Sequence, residues 1–507
     1  MTRSRKAGLD SSRLLTALDQ RLTQVAVTLL GEDGTTSAGT VPGTATATLL
    51  PALVEHCRPV ERVGARWLLL TAAFGAFPSP AQVVEFGRRL ELLPVHQAES
   101  DLLAEMLHER GRGRLDLPMD VVVGGVLVDV DFSARHDTHT GIHRVVRETL
   151  PRWADPTRDR AAVRPVAWTD EYSTFRTLTS QEAARTLRHG AAEQPPFDDE
   201  GAPFRLIVPW GSVVVLADVP NGRVTDPLTA LARFSGNTVS VIGYDMIPIT
   251  SADTRPFQDA VAFAQYLSVV KHVRRVAGIS RSASAEFEGF AHAVRAQGLP
   301  GPQVRTVGLV TQVLAPPGTS PRATATRPVV VCPGSREPHK NQRAVLHAAE
   351  RLWREGLDFE LRLVGGPGWS EDQLQPAIER LHAQGRSLRE LGRVSDADLA
   401  AELRAADVAV FLSLHEGYGL PVAEALACGT PVLTTDFGSQ REIADQGGCL
   451  VVDPRDDDAI SDALRRLLTD REERDRLQAE IRDRPVRTWA EYAEELWSWL
   501  VEGEGGS

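Results

Sequence analysis

From Val121 onward the chain alternates short β-rich apolar runs with helical stretches, and this alternation constrains the fold more than any other feature. Val126 to Val130, Arg205 to Val208, Val213 to Leu216, Thr238 to Ile242 and Val273 to Ile279 read as strands, with helical segments such as Ile142 to Leu150 and Phe257 to Lys271 between them. Strands separated by helices are the mark of βαβ units, which build parallel sheets. A second series begins at Val329 and continues through Leu361 to Val364, Val408 to Leu412, Pro431 to Thr434 and Leu450 to Val452. Ala315 to Pro328, rich in Pro, Thr and Gly, separates the two series. An α/β protein with two Rossmann-like doubly wound domains facing a cleft is the simplest architecture that fits.

Residues 10 to 111 have a different texture. Leu14, Leu18, Leu22, Val25 and Leu29 recur at helical spacing, as do apolar residues over Val60 to Phe77 and Ala81 to Leu93. The Gly/Thr/Ser-rich stretch Gly31 to Gly43 reads as a loop and Gly111 to Arg114 as a linker. Arg487 to Trp499 reads as an amphipathic terminal helix. The expected division is a helical N-terminal region over 1–115, one Rossmann-like domain over 116–325, a second over 326–484, and a C-terminal helix over 485–507. A chain of 507 residues is too long for one ordinary core, which agrees.

Charge narrows the function. Lys and Arg total 56 against 68 Asp and Glu, a net charge of −12, which disfavours general binding to nucleic acid. Cys57, Cys332, Cys428 and Cys449 show neither metal-ligand spacing nor the density of a disulfide framework, so they read as reduced packing residues. The basic N-terminus is not followed at once by the apolar segment of a signal peptide, and Trp67 to Phe77 falls short of the ~20 residues of a membrane span. A cytoplasmic protein is expected. Peripheral contact with the inner face of a membrane, or self-association through the helical N-terminal region, stays open.

The chemistry concentrates in His415-Glu416-Gly417-Tyr418-Gly419-Leu420-Pro421-Val422-Ala423-Glu424-Ala425. Here an apolar strand ends, two glycines allow a tight turn with the backbone close to a ligand, and Pro421 suits a first helical position. The amides of Gly417 to Leu420 and the helix dipole would hold phosphate or sugar oxygens. Glu416 stays in the loop while Glu424 falls on the first helical turn, giving two acceptors along one bound molecule. A nucleotide sugar fits. Arg336 and Lys340, just beyond the strand ending near Cys332, are cations for its diphosphate. Gly365-Gly366-Pro367-Gly368 follows another strand at the cleft edge. In the first series, Thr138-His139-Thr140-Gly141-Ile142-His143-Arg144 turns into a helix directly after a strand, and Gly141 is where backbone could close over phosphates. His139, Tyr244 and Asp245 are candidates on the acceptor side; Asp245 could orient an acceptor hydroxyl or simply anchor its loop. Asp129-Val130-Asp131 and Asp396-Ala397-Asp398 invite a metal reading, but cationic side chains already offer the charge compensation, so no metal is expected.

The two Glu residues with seven between them, followed by Cys428-Gly429-Thr430-Pro431-Val432, resemble the retaining glycosyltransferases of family 4. Gly334-Ser335-Arg336-Glu337-Pro338-His339-Lys340-Asn341 is similar to that family's basic donor-phosphate loop, and Leu391-Gly392-Arg393-Val394-Ser395-Asp396 to its nucleobase loop. The resemblance is specific from about Pro328 to Tyr492, looser from Val126 to Leu309, and absent before Leu117. It implies the GT-B fold, a C-terminal helix crossing back onto the first half, and transfer of a sugar from a UDP- or GDP-sugar to a hydroxyl on a glycan, lipid carrier or small molecule, without metal and with front-face retention. It further implies that Glu424 holds the ribose hydroxyls, that Glu416 lies near the transferred sugar, and that Arg393 and Val394 border the base. Glu416, Lys340 and Arg336 are then the catalytic candidates. Tyr244 stands where many relatives have His. A nucleotide-sugar epimerase or phosphorylase of the same build, or a non-catalytic scaffold that kept the fold, are the rival readings.

Overall fold

The computed structural model describes residues 11–31, 41–108, 113–137, 140–158, 160–188, 204–310, 327–369 and 371–503. The first half is built on a sheet of β1 (Met119–Val123), β2 (Val126–Asp129), β3 (Val163–Trp168), β4 (Phe175–Arg176), β5 (Leu206–Trp210), β6 (Val213–Leu216), β7 (Thr238–Gly243), β8 (Arg275–Gly278) and β9 (Gln303–Thr306). Its order is β1-β5-β4-β3-β2-β6-β7-β8-β9, parallel except where the two-residue β4 runs against both neighbours. The second half holds β10 (Val329–Pro333), β11 (Glu360–Val364), β12 (Leu388–Gly392), β13 (Val408–Phe411), β14 (Val432–Thr435) and β15 (Cys449–Val452) in the order β12-β11-β10-β13-β14-β15. Every pairing in that sheet is parallel. This is the doubly wound Rossmann order, and the chain as a whole has the GT-B architecture. Strand order reverses between β10 and β13 in the second sheet and between β2 and β6 in the first, while the strands stay parallel. Loops at the carboxyl ends of those strands therefore open the crevices where ligands bind.

β12 and β3 are among the strands that apolar pattern alone does not mark. β12 is an edge strand whose Arg389 and Glu390 face solvent, so it lacks the continuous apolar run of a buried parallel strand. β3 is interior yet carries Pro165, a residue that argues against a central strand. It is tolerated because β4 pairs only with Ala167 and Trp168, leaving β3 without a ladder on that side at Pro165.

The N-terminal helices share one core with the first sheet. Leu18, Leu22, Val25, Leu53, Trp67 and Leu68 lie in the same buried cluster as Leu127, Val166, Trp168, Phe175 and Ile207. Phe77 sits at the junction, with ring centroids 5.2 Å from Trp67, 5.8 Å from Trp168 and 5.2 Å from Phe175. The helix Ser11–Leu30 is stitched to β1 by Gln20, whose side-chain amide donates to Met119 O at 2.8 Å and accepts from Met119 N at 2.7 Å. Arg21, fully buried, donates to the carbonyls of Ala72, Leu115 and Leu117 at 2.6–2.8 Å. The buried faces of these helices pack on the first half, while Leu15, Val27, Leu92 and Leu107 stay exposed. Among the described residues no helix is long and apolar enough to cross a membrane.

The C-terminal helix Trp489–Trp497, continued by the π-turn Ser498–Glu502, packs on the other face of the first sheet. Trp489, Tyr492, Leu496, Trp497 and Leu500 are buried with Val128, Val146, Trp153 and Ile279. Trp153 Nε1 donates to Ala493 O at 2.8 Å and Trp499 Nε1 to Val276 O at 3.0 Å. The end of the chain therefore ties the second half back onto the first.

Candidate functional site

In the second half, Pro333 ends β10 and the chain runs through Gly334 to the single 3-10 turn Pro338–Lys340. Asn341, in the left-handed region at φ 53°, then turns the chain into the helix Gln342–Arg354. This places Lys340 beside the loop that follows β13. Its Nζ donates to Glu416 Oε1 at 2.6 Å and lies 5.5 Å from the centre of the Phe411 ring. The two residues are 76 positions apart and meet at the switch point of the sheet. Beyond them Gly419, at φ 99°, opens the helix Leu420–Ala427, whose first-turn amides face the same crevice.

The first half closes directly over this loop. A Cβ on Gly417 would lie 2.3 Å from Tyr244 O and 3.2 Å from Asp245 Oδ2, so only glycine permits this approach. Ser280 donates to Gly417 O at 2.6 Å, and the Tyr418 hydroxyl to Leu309 O at 3.2 Å. Gly141 opens the helix Gly141–Trp153 after β2 and sits against Leu420, since a Cβ there would be 3.1 Å from Leu420 Cδ1. The positive ends of two helices, one from each half, thus converge on one place.

The remaining candidates divide. Glu424 is largely buried and ion-paired with Arg144 of the first half, which also donates to Asp396 Oδ2 at 3.3 Å. Burial pushes the Glu424 carboxyl up, more than Arg144 draws it down. Arg393 is exposed beside Gly366, and Val394 is partly buried against the second half's core. Asp245 accepts from Ile247 N at 3.1 Å; burial, reinforced by Glu286 and Glu416, pushes it up to about 6. His139 lies outside the described residues.

Two of the candidate side chains are engaged away from the Lys340–Glu416 pair. The Arg336 guanidinium, a candidate for the donor diphosphate, pairs with Glu390 and donates to Gln375 Oε1 at 3.1 Å. The loop swings it toward β12 because Arg336 N is tied to Gly366 O at 3.3 Å. Tyr244 does not present its side chain to an acceptor. The ring is buried and its hydroxyl donates to Ala217 O at 2.7 Å, so only its carbonyl faces the cleft.

The Asp129–Asp131 pair is absorbed locally, whereas Asp396 of the second pair faces Arg144. Asp129 accepts from Trp168 Nε1 at 2.9 Å and is pushed up to about 8 by burial and by Asp131. Asp131 accepts from Trp168 N at 2.8 Å and Arg135 Nε at 2.7 Å. His143 is buried, its Nδ1 2.7 Å from the hydroxyl of Thr140, which caps the helix. Arg144 was legible only as part of a turn; its partner lies 280 residues away.

Other contacts clasp the halves. His415 Nε2 pairs with Glu286 Oε1 at 2.9 Å and its Nδ1 shares a hydrogen bond with Ser251 Oγ at 2.8 Å. Arg255 pairs with Glu337 at 2.7 Å, and Glu442 accepts from Arg281 N and Ser282 N at 2.9 and 2.6 Å, capping the helix Arg281–Arg295 from across the cleft.

Residues 320–484 match the family model described as Glycosyl transferases group 1. The O-antigen chain mannosyltransferase B of Escherichia coli is 41% identical over 138 residues, 27% of this chain and 36% of that protein. The serotype-specific mannosyltransferase WbdA of Escherichia coli is 26% identical over 336 residues, 63% of this chain and 39% of that protein. The chain thus spans well under half the length of these relatives. Among solved structures, the N-terminal domain of a Candida albicans trehalose-6-phosphate phosphatase superposes with a TM-score of 0.51 at 12% identity, over 77% of this chain and 98% of that one, a likeness of fold alone. The residues that match this family model build the second half of the GT-B fold.

Proposed function

We propose that this protein transfers a sugar, with retention at the anomeric carbon, from a nucleotide-diphosphate sugar to a hydroxyl acceptor. The observation that carries the reading is the Lys340–Glu416 pair at the β10/β13 switch point, beside the amino end of the helix Leu420–Ala427. The donor diphosphate lies against Lys340 and the amides of Gly417 to Leu420, its ribose hydroxyls on Glu424, and its base along Arg393 and Val394. The transferred sugar faces Glu416. The acceptor enters from the first half, past Asp245 and Gly141.

As the anomeric C–O bond breaks, negative charge collects on the departing phosphate oxygen, where Lys340 and the helix terminus stabilise it. The acceptor oxygen forms its bond on the same face and its proton passes to that phosphate oxygen. Side-chain cations and backbone amides supply the positive charge, so the reaction needs no metal, and transfer retains its rate after chelation. UDP- and GDP-sugars are the donor class. Mannose is favoured as the sugar because relatives matched here are named mannosyltransferases. The acceptor is a glycan, a lipid-linked glycan or a small molecule.

The test is thermal stabilisation by a panel of UDP-, GDP- and ADP-sugars, followed by NMR of the product's anomeric configuration. A true donor at a hundred times its Kd adds about 2.7 kcal/mol by mass action. A panel in which nothing shifts the melting temperature, or an inverted product, sinks the reading.

A further inference from the structure

We infer that Arg144, brought by the first half, is a second diphosphate-binding cation of the donor site, and that Glu424 holds it until ribose takes its place. The inference rests on the donor reading of Glu424 above. Its starting point is a shortage of charge. A sugar diphosphate carries about two negative charges, and departure of the nucleotide concentrates more on one oxygen. Lys340 is matched at 2.6 Å by Glu416, and Arg336 is directed to Glu390 and Gln375.

Arg144 occupies an unusual position for a cation. It sits on the first turn of the helix Gly141–Trp153, where the helix dipole disfavours positive charge, and reaches toward the amino end of the helix Leu420–Ala427, where the same holds. Gly141 against Leu420 fixes how near those two ends come. Two helix termini, Arg144 and Lys340 together make a strongly positive locus. Glu424 and Asp396 now supply its anions, with Arg144 and Glu424 both about four-fifths buried at 19% and 20% side-chain exposure.

Ribose hydroxyls that take both oxygens of Glu424 compete with Arg144 for Oε1. When the hydroxyls donate to Glu424, the guanidinium keeps only the longer contact at 3.3 Å to the exposed Asp396, in a place where a poorly matched charge is costly. The diphosphate, attached to the same ribose and lying at the same helix ends, is the anion within reach. Arg144 presents a planar fork suited to two phosphate oxygens. Donor binding thus exchanges one ion pair between the halves for another, and closure of the cleft becomes coupled to the presence of phosphate.

The experiment compares the full chain with Arg144→Met and Arg144→Lys. Each is titrated with uridine, guanosine and adenosine, and with their 5′-diphosphates. In Arg144→Met the matching diphosphate is expected to bind about 10- to 100-fold more weakly, the loss of one charge-assisted contact. The matching nucleoside should bind more tightly, because its competitor for Glu424 is gone. Arg144→Lys should recover part of the diphosphate affinity, and if the Met variant does not fold, a several-fold diphosphate loss in the Lys variant carries the test. If Arg144 only latches the halves, both ligands tighten in the variants; that result, or no change in either, overturns the inference. If the wild type binds none of the diphosphates, the donor reading itself has failed, and the wild-type titrations alone reveal it.

Discussion

At the scale of single residues, the site depends on charges that have already found partners. Lys340 and Glu416 neutralise each other at 2.6 Å, and Glu424 is held by Arg144. Lys340→Ala is expected to lower kcat by about 10²- to 10³-fold, the usual cost of removing one donor aimed at developing charge. Glu424→Ala should raise KM for the donor while leaving the fold intact. Steady-state kinetics with the donor found by thermal shift checks both. The His415–Glu286 pair gives a pH dependence with a defined sign. Burial alone would lower His415, but the hydrogen bond and charge of Glu286, with Asp245 and Glu416 behind it, raise it overall. A raised histidine contributes stability that is fully present below its unfolded value of about 6.5 and is lost as pH rises through the folded value. The melting temperature of Glu286→Gln should therefore fall furthest below the wild type in mild acid, and the gap should shrink at alkaline pH. A gap independent of pH would remove His415 as its source.

At the scale of elements, the turn between β13 and the helix Leu420–Ala427 joins the halves. Its two glycines act differently. Gly419 supplies the left-handed φ of 99° that lets the helix start. Gly417 supplies room, since a Cβ there would sit 2.3 Å from Tyr244 O. Gly417→Ala is expected to push the first half away and lower transfer by an order of magnitude or more, because small displacements of reacting groups cost roughly 10²-fold. The second half should stay folded, because that clash is with the first half. Kinetics together with circular dichroism separates this from unfolding. The motif was legible in sequence because its chemistry lies in one contiguous run, strand end, Gly-rich turn, Pro421 and Glu424. The loop Gly334 to Asn341 was legible for the same reason, but the direction of Arg336 was not: it is set by the bond from its amide to Gly366 O in a loop 30 residues further on.

At the scale of the molecule, the helices nearest both ends of the described chain, Ser11–Leu30 and Trp489–Trp497, are built into the first half. Deleting residues 1–110 would remove Trp67 and Phe77 from the ring cluster and leave Trp168 and Phe175 uncovered. Such a truncation is expected to be insoluble or to lose its cooperative melt. Recovery of a well-folded, active fragment would show that the shared core is dispensable. At the other end, Trp497 is buried with its ring 5.7 Å from Trp153 and under the guanidinium of Arg160. Trp497→Ala should cost about 3–5 kcal/mol, read by denaturant unfolding.

What the sequence determined by itself is local or periodic. The alternation of apolar runs and helices dictates two parallel sheets, since each strand buried on both faces needs helices to cover it. The spacing of Glu416, the glycines and Glu424 likewise defines a turn into a helix amino end. The tertiary structure alone decided which distant charges meet. Arg144 with Glu424, His415 with Glu286 and Arg255 with Glu337 join residues 82 to 280 positions apart, and the helices before residue 109 find their place only through the core they share with the first sheet. No periodicity encodes such pairings, because they depend on how two sheets are set against each other and on which loops their carboxyl ends bring face to face.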